Sequence, residues 1–101
     1  MIHHVVFWKL KPEALEGGRV RELAAIRQLA ARMVGRIPGL LHVEVHENGL
    51  PAADGADLAL FTRLESWEAL RGYEVHPAHL EFRALVGSLR TERRGFDYEA
   101  P

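Results

Sequence analysis

The 101-residue sequence predicts a small α+β domain, and three observations carry that prediction. Two segments, residues 2–10 and 57–65, are apolar on both alternating faces, as strands inside a sheet are. Residues 19–36 instead repeat apolar side chains at three- and four-residue steps, as a helix does. The segments run strand, helix, strand, strand, helix pair, strand.

In the first strand Ile2, His4, Val6, Trp8 and Leu10 share one face, and His3, Val5, Phe7 and Lys9 share the other. Lys11-Pro12 and Gly17-Gly18 punctuate the connection to the first helix. The helix over 19–36 carries Val20, Leu23, Ile26, Ala30, Met33 and Ile37 on one side, with arginines opposite, and Pro38-Gly39 ends it. Residues 40–47 form a strand with Leu41, Val43 and Val45 on one face and His42, Glu44 and His46 on the other. A turn-rich loop over 48–56 leads into the strand over 57–65. There Leu58, Leu60, Thr62 and Leu64 oppose Ala59, Phe61 and Arg63. Ser66 is an N-cap for a short helix through Tyr73, and Pro77 opens a helix to about Leu89, with His76 as its cap. Residues 91–98 are a last, polar strand.

This order is the ferredoxin-like βαββαβ pattern with a split second helix, spanning residues 1–101 as one domain. The first and third strands are then central. Helices cover one face of such a sheet, so Val5, Phe7, Ala59 and Phe61 need another cover. A second copy of the chain, sheet face to sheet face, supplies it and makes a homodimeric barrel.

Composition narrows the function. A net charge of −1 gives no electrostatic basis for nucleic acid or an anionic membrane as partner. The chain has no cysteine, which excludes disulfides and a thiol nucleophile and fits a reducing cytoplasm. Met1 to Leu10 lacks the basic and long apolar stretches of a signal peptide. Arg90, Arg93 and Arg94 are offset by Glu92 and define no anion site. Trp8, Phe61, Phe82 and Phe96 read as core.

Two clusters carry chemistry. His42, Glu44 and His46 lie on one strand face, but alternate strand residues stand about 7 Å apart, so one ion cannot take all three without a bend. They read as polar decoration of an edge strand, and no metal or cofactor is expected. Tyr73-Glu74-Val75-His76-Pro77-Ala78-His79 offers a phenol and two imidazoles, the side chains suited to proton transfer near neutral pH and to holding an oxyanion.

The opening His3-His4-Val5-Val6-Phe7-Trp8-Lys9-Leu10-Lys11, the turn Ile37-Pro38-Gly39, the stretch Tyr73 to Phe82 and the closing Phe96-Asp97-Tyr98 resemble the stress-responsive dimeric α+β barrel family. The resemblance covers essentially the whole chain. It implies a homodimer with a small cavity in each protomer between helices and sheet. Plant members similar to olivetolic acid cyclase close a polyketide by aldol condensation without a cofactor. Their acting histidine and tyrosine fall on His79 and Tyr73, and a pocket histidine of the first strand falls on His4. The chain departs from that pattern at Leu58, where the cyclases have a histidine, and at Trp8, which replaces a smaller aliphatic residue. Related barrels include cofactor-free monooxygenases and isomerases.

The expected catalytic set is therefore His79 as base, Tyr73 as oxyanion donor and His4 as orienting group. The pocket is expected from Val6, Trp8, Val43, Leu58 and Leu60, and its occupant is a small hydrophobic or aromatic ligand. The alternative is a non-catalytic dimer of the same fold that binds a ligand or serves stress response.

Overall fold

The structure, a computed structural model, describes residues 1–101. β1 (Ile2–Leu10) leads through a single 3₁₀ turn (Pro12–Ala14) into a small hairpin, β2 (Leu15–Glu16) and β3 (Arg19–Val20). The chain continues as α1 (Leu23–Met33), β4 (Leu40–Glu47), β5 (Leu58–Leu64), α2 (Trp67–Val75), α3 (Pro77–Leu89) and β6 (Arg90–Glu99). The main sheet is antiparallel with order β4-β5-β1-β6, so the two strands that are apolar on both faces are the central ones. This is the ferredoxin-like α+β fold.

The first helix is shorter than its periodicity predicts. Gly17 and Gly18 both adopt positive φ, 59° and 80°, the geometry of a tight hairpin turn. Arg19 and Val20 therefore pair back on Glu16 and Leu15 instead of joining α1. The Glu47 carboxylate fastens that hairpin to β4, accepting from the Val20 backbone N–H at 3.1 Å and facing the Arg19 guanidinium at 3.1 Å. At its other end the helix stops at Met33, whose carbonyl accepts from the N–H groups of Arg36 and Ile37.

β4 carries a second departure. Leu40 pairs with Leu64 and His42 with Arg63, so Leu41 has no partner opposite it. This bulge turns Leu41 outward and puts Leu40 into the core.

The remaining elements obey their local signals. The Ser66 side chain accepts from the Ala69 N–H at 3.1 Å at the start of α2. The His76 ring accepts from the Ala78 N–H at 3.0 Å at the start of α3. Each satisfies a helix donor that would otherwise lack a partner.

The three helices cover one face of the sheet. Ile2, His4, Val6, Trp8 and Leu10 of β1 and Leu58, Leu60, Thr62 and Leu64 of β5 are all buried there. The other face is open in the single chain. Phe7 is 40% exposed, Phe61 38% and Phe96 64%, with half-buried Val5 and Ala59 among them. Phe61 and Phe96 are thus not core of the single chain. Phe61 points away from the helices, and Phe96 stands opposite Val5 on the same uncovered face, because the helix-facing positions of β6 are Arg93, Gly95 and Asp97.

No helix is long and apolar enough to cross a membrane.

Candidate functional site

A cavity of about 410 Å³ lies between the sheet and the α2–α3 corner. Val6 and Trp8 of β1, Leu60 of β5, and Phe82 and Val86 of α3 form its apolar lining. Trp8 packs against Phe82, with ring centroids 6.1 Å apart, and narrows the space without closing it. Its polar lining is His4, Glu74, His79, Arg83, Arg90 and Arg93.

His4 comes from the centre of β1 and is 4% exposed. Its Nδ1 donates to the Asp97 carboxylate, which the antiparallel register of β6 sets directly opposite. The Thr62 hydroxyl donates to the His4 carbonyl at 2.7 Å, tying the same residue to β5. An imidazole whose Nδ1–H is committed to a carboxylate is held in one tautomer, with Nε2 left as the acceptor.

His79 comes from the first turn of α3. Its Nδ1 donates to the Glu74 backbone carbonyl at 3.1 Å, which also leaves Nε2 free. Burial holds this imidazole below the ordinary histidine range; the Glu74 carbonyl opposes the shift, and the nearby His4 and Arg83 add to it. His79 is thus weighted toward its neutral, proton-accepting form at neutral pH.

Tyr73, on the last turn of α2, is fully buried and packs against both imidazoles. Its ring centroid is 4.2 Å from that of His79 and 5.6 Å from that of His4. Tyr73 stands behind the two histidines and does not line the cavity. Its hydroxyl is buried without a hydrogen-bond partner. Burial raises the phenol well above its usual range, so it stays protonated, an unspent donor.

The structure thus gathers Tyr73, His79 and His4 at one corner. Of the expected pocket residues, Val6, Trp8 and Leu60 line the cavity, whereas Val43 and Leu58 do not. The cavity forms where α3 lies over β1 and β6, on the far side of the sheet from β4. Val43, on β4, lines a separate groove beside α1 with Ala30 and Arg27. Leu58 is sealed in the core at 1% exposure.

Sequence reasoning missed Asp97 and Arg83, and it read Arg90 and Arg93 as offset by Glu92, which pairs instead with Arg94. The signal for Asp97 was the alternation of Gly95 and Asp97 with Phe96 and Tyr98 along β6, which places polar and apolar residues on opposite faces. His42, Glu44 and His46 lie on the uncovered face, where the Glu44 carboxylate meets the His42 and His46 rings at 3.0 and 3.2 Å. The bonds from His42 and then His46 hold that carboxyl below its usual range.

No curated protein matches this chain. Among solved structures it is similar to a dimeric protein of unknown function with a ferredoxin-like fold from Bacteroides fragilis NCTC 9343. The TM-score is 0.83 at 18% identity, over 98% of this chain and 95% of that one. It is similar to a dimeric ferredoxin-like protein of unknown function from Thermobifida fusca YX, with a TM-score of 0.81 at 17% identity, over 98% and 90%. It is also similar to the hydroxynitrile lyase of Passiflora edulis, with a TM-score of 0.76 at 18% identity, over 96% and 90%. At these identities the likeness is one of fold. The family model of the stress responsive A/B barrel domain matches residues 2–100, and the chain belongs to that family.

Proposed function

We propose that this protein is a cofactor-independent acid–base enzyme acting on a small apolar or aromatic carbonyl compound, and that it works as a homodimer. One observation carries the enzymatic reading: His4 and His79 line a single cavity, and each has its Nδ1 committed to an acceptor, which leaves Nε2 to accept a proton. In this reading His79 Nε2 removes a proton from a C–H next to the substrate carbonyl. The carbonyl oxygen becomes an enolate oxygen, and Tyr73, whose hydroxyl is an unspent donor, must turn from behind the histidines to reach it. The enolate carbon attacks a second carbonyl, and the His79 imidazolium returns its proton to the new alkoxide. His4, fixed by Asp97, orients the substrate. The chemistry is of the aldol class, and the structural likeness to a hydroxynitrile lyase is compatible with carbon–carbon bond chemistry on this scaffold.

The homodimer rests on the open sheet face. Phe7 and Phe61 pack edge to face with centroids 6.1 Å apart, and with Val5, Ala59 and Phe96 they make a continuous apolar surface on β1, β5 and β6. Such a surface is unusual on a solitary domain. Two solved neighbours are described as dimeric.

The second reading is a dimer that binds a small ligand without turning it over. It is favoured by the position of the Tyr73 hydroxyl, which is buried away from the cavity wall.

Solvent-deuterium exchange separates the two. Benzoylacetone and phenylpyruvate, each with an acidic C–H beside a carbonyl, are incubated with the protein in D₂O and monitored by proton NMR. The enzymatic reading expects accelerated exchange that His79→Ala abolishes. Exchange at the uncatalysed rate for both compounds, or undiminished exchange in His79→Ala, leaves the binding reading in its place.

A further inference from the structure

The cavity has a charge pattern that base chemistry does not require. Arg83, Arg90 and Arg93 line it, against one carboxylate, Glu74. None of the three has an ion-pair partner. Glu92, the acid nearest them in sequence, pairs with Arg94, and both of those lie on the opposite face of β6. Asp97, on the cavity side of β6, is already bonded to His4. Arg83, Arg90 and Arg93, the first and last open to solvent, thus line a cavity with an apolar floor of Val6, Trp8, Phe82 and Val86 against the single carboxylate of Glu74.

Arg93 is also specifically seated. It faces the helices from the position opposite Trp8, and the next residue on that face of β6 is Gly95. A Cβ on Gly95 would meet the Arg93 guanidinium nitrogens at 3.2 and 3.6 Å. The guanidinium therefore lies back along the strand over the missing side chain, toward the end of the cavity that holds His4. Its charge is felt at the Tyr73 phenol.

Resting on the reading of this cavity as a small-molecule site, we propose that its ligand is a carboxylate: an aryl or alkyl keto acid whose apolar body fills the floor and whose carboxylate is held by Arg93 with Arg90 and Arg83. Guanidinium groups bind carboxylates through paired N–H donors, and a cleft with low-dielectric walls concentrates the field of unpaired charges. The carboxylate then fixes which end of the molecule faces the histidines. Arg93 acts as a positioning residue in this arrangement.

The test is a binding measurement, independent of turnover. Phenylpyruvate and its neutral methyl ester are titrated into the intact protein by calorimetry at low and moderate salt. The acid is expected to bind about tenfold or more tightly than the ester, with the difference shrinking as salt rises. Arg93→Gln is expected to remove most of that preference while leaving ester affinity unchanged. Gly95→Ala, which keeps every charge but crowds the guanidinium, is expected to weaken the acid alone. Equal affinity for acid and ester, no binding of either, or a preference that survives Arg93→Gln overturns the proposal. Inorganic phosphate binding more tightly than phenylpyruvate at the same arginines also overturns it, by reassigning the anion. A protein that fails here but exchanges the benzoylacetone proton retains its acid–base reading, so the two failures are distinct.

Discussion

His4 on β1 and Asp97 on β6 stand opposite each other in the antiparallel register, and the imidazole Nδ1 of the first donates to the carboxylate of the second. His4 is buried at the helix-covered face with Tyr73 edge-on to its imidazole, while Asp97 on the edge strand stays partly open to solvent. Removing the acceptor in Asp97→Ala leaves a buried N–H without a partner, a loss of about 1–3 kcal/mol in stability. Nitrogen NMR of the His4 ring should show one tautomer in the parent and a mixture in the variant. A single unchanged tautomer in both would mean that Asp97 does not hold the ring.

His79 gives a pH dependence with a definite sign. Its folded pKa is lowered, chiefly by burial, so the unfolded chain binds more protons as pH falls. The associated stability is present in full above the unfolded value of about 6.5 and is lost as pH falls through the lower folded value. Histidine NMR should place the His79 midpoint below about 6.5. A midpoint above that value reverses the sign of the dependence.

Tyr73 separates stability from activity. Its hydroxyl is buried with no partner, so the fold gains nothing from it. Tyr73→Phe is expected to leave the unfolding free energy unchanged or to raise it by about 1 kcal/mol, and to cut proton exchange about a hundredfold. Urea denaturation and the deuterium assay together read both effects. A clear loss of stability would show that the hydroxyl has a structural partner.

The open sheet face predicts assembly. Fully burying a phenylalanine contributes about 1.5–3 kcal/mol, and a carboxylate in its place must be dehydrated without a counterion. Phe7→Glu and Phe61→Glu should each sediment as monomer or aggregate in analytical ultracentrifugation, against a parent dimer. Two intact dimers would contradict pairing through this face.

Gly39 tests the turn into β4. It adopts φ of 80°, and a Cβ there would approach the Ala69 Cβ to 2.6 Å. Gly39→Ala combines left-handed strain with overpacking of α2, so it should cost about 2 kcal/mol or more. A denaturation midpoint equal to the parent's would show that the turn can relax.

The sequence by itself determined the strand and helix order, the two central strands, both helix caps and the divided faces of β1 and β5. Each rests on local chemistry: alternation, helical period, or a side chain reaching a backbone donor two or three residues away. It also brought Tyr73 and His79 together, because six residues across a helix junction leave little freedom. The features that only the tertiary structure decided depend on register and depth. The hairpin at Gly17-Gly18 competes with an unbroken helical period, and its tie to Glu47 crosses 27 residues. The Leu41 bulge is a matter of pairing with β5. Asp97 meets His4 across 93 residues because two strands align, and the three arginines line one cavity because α3 and β6 both border it. Spacing along a chain carries no information about which residues a strand register will set face to face.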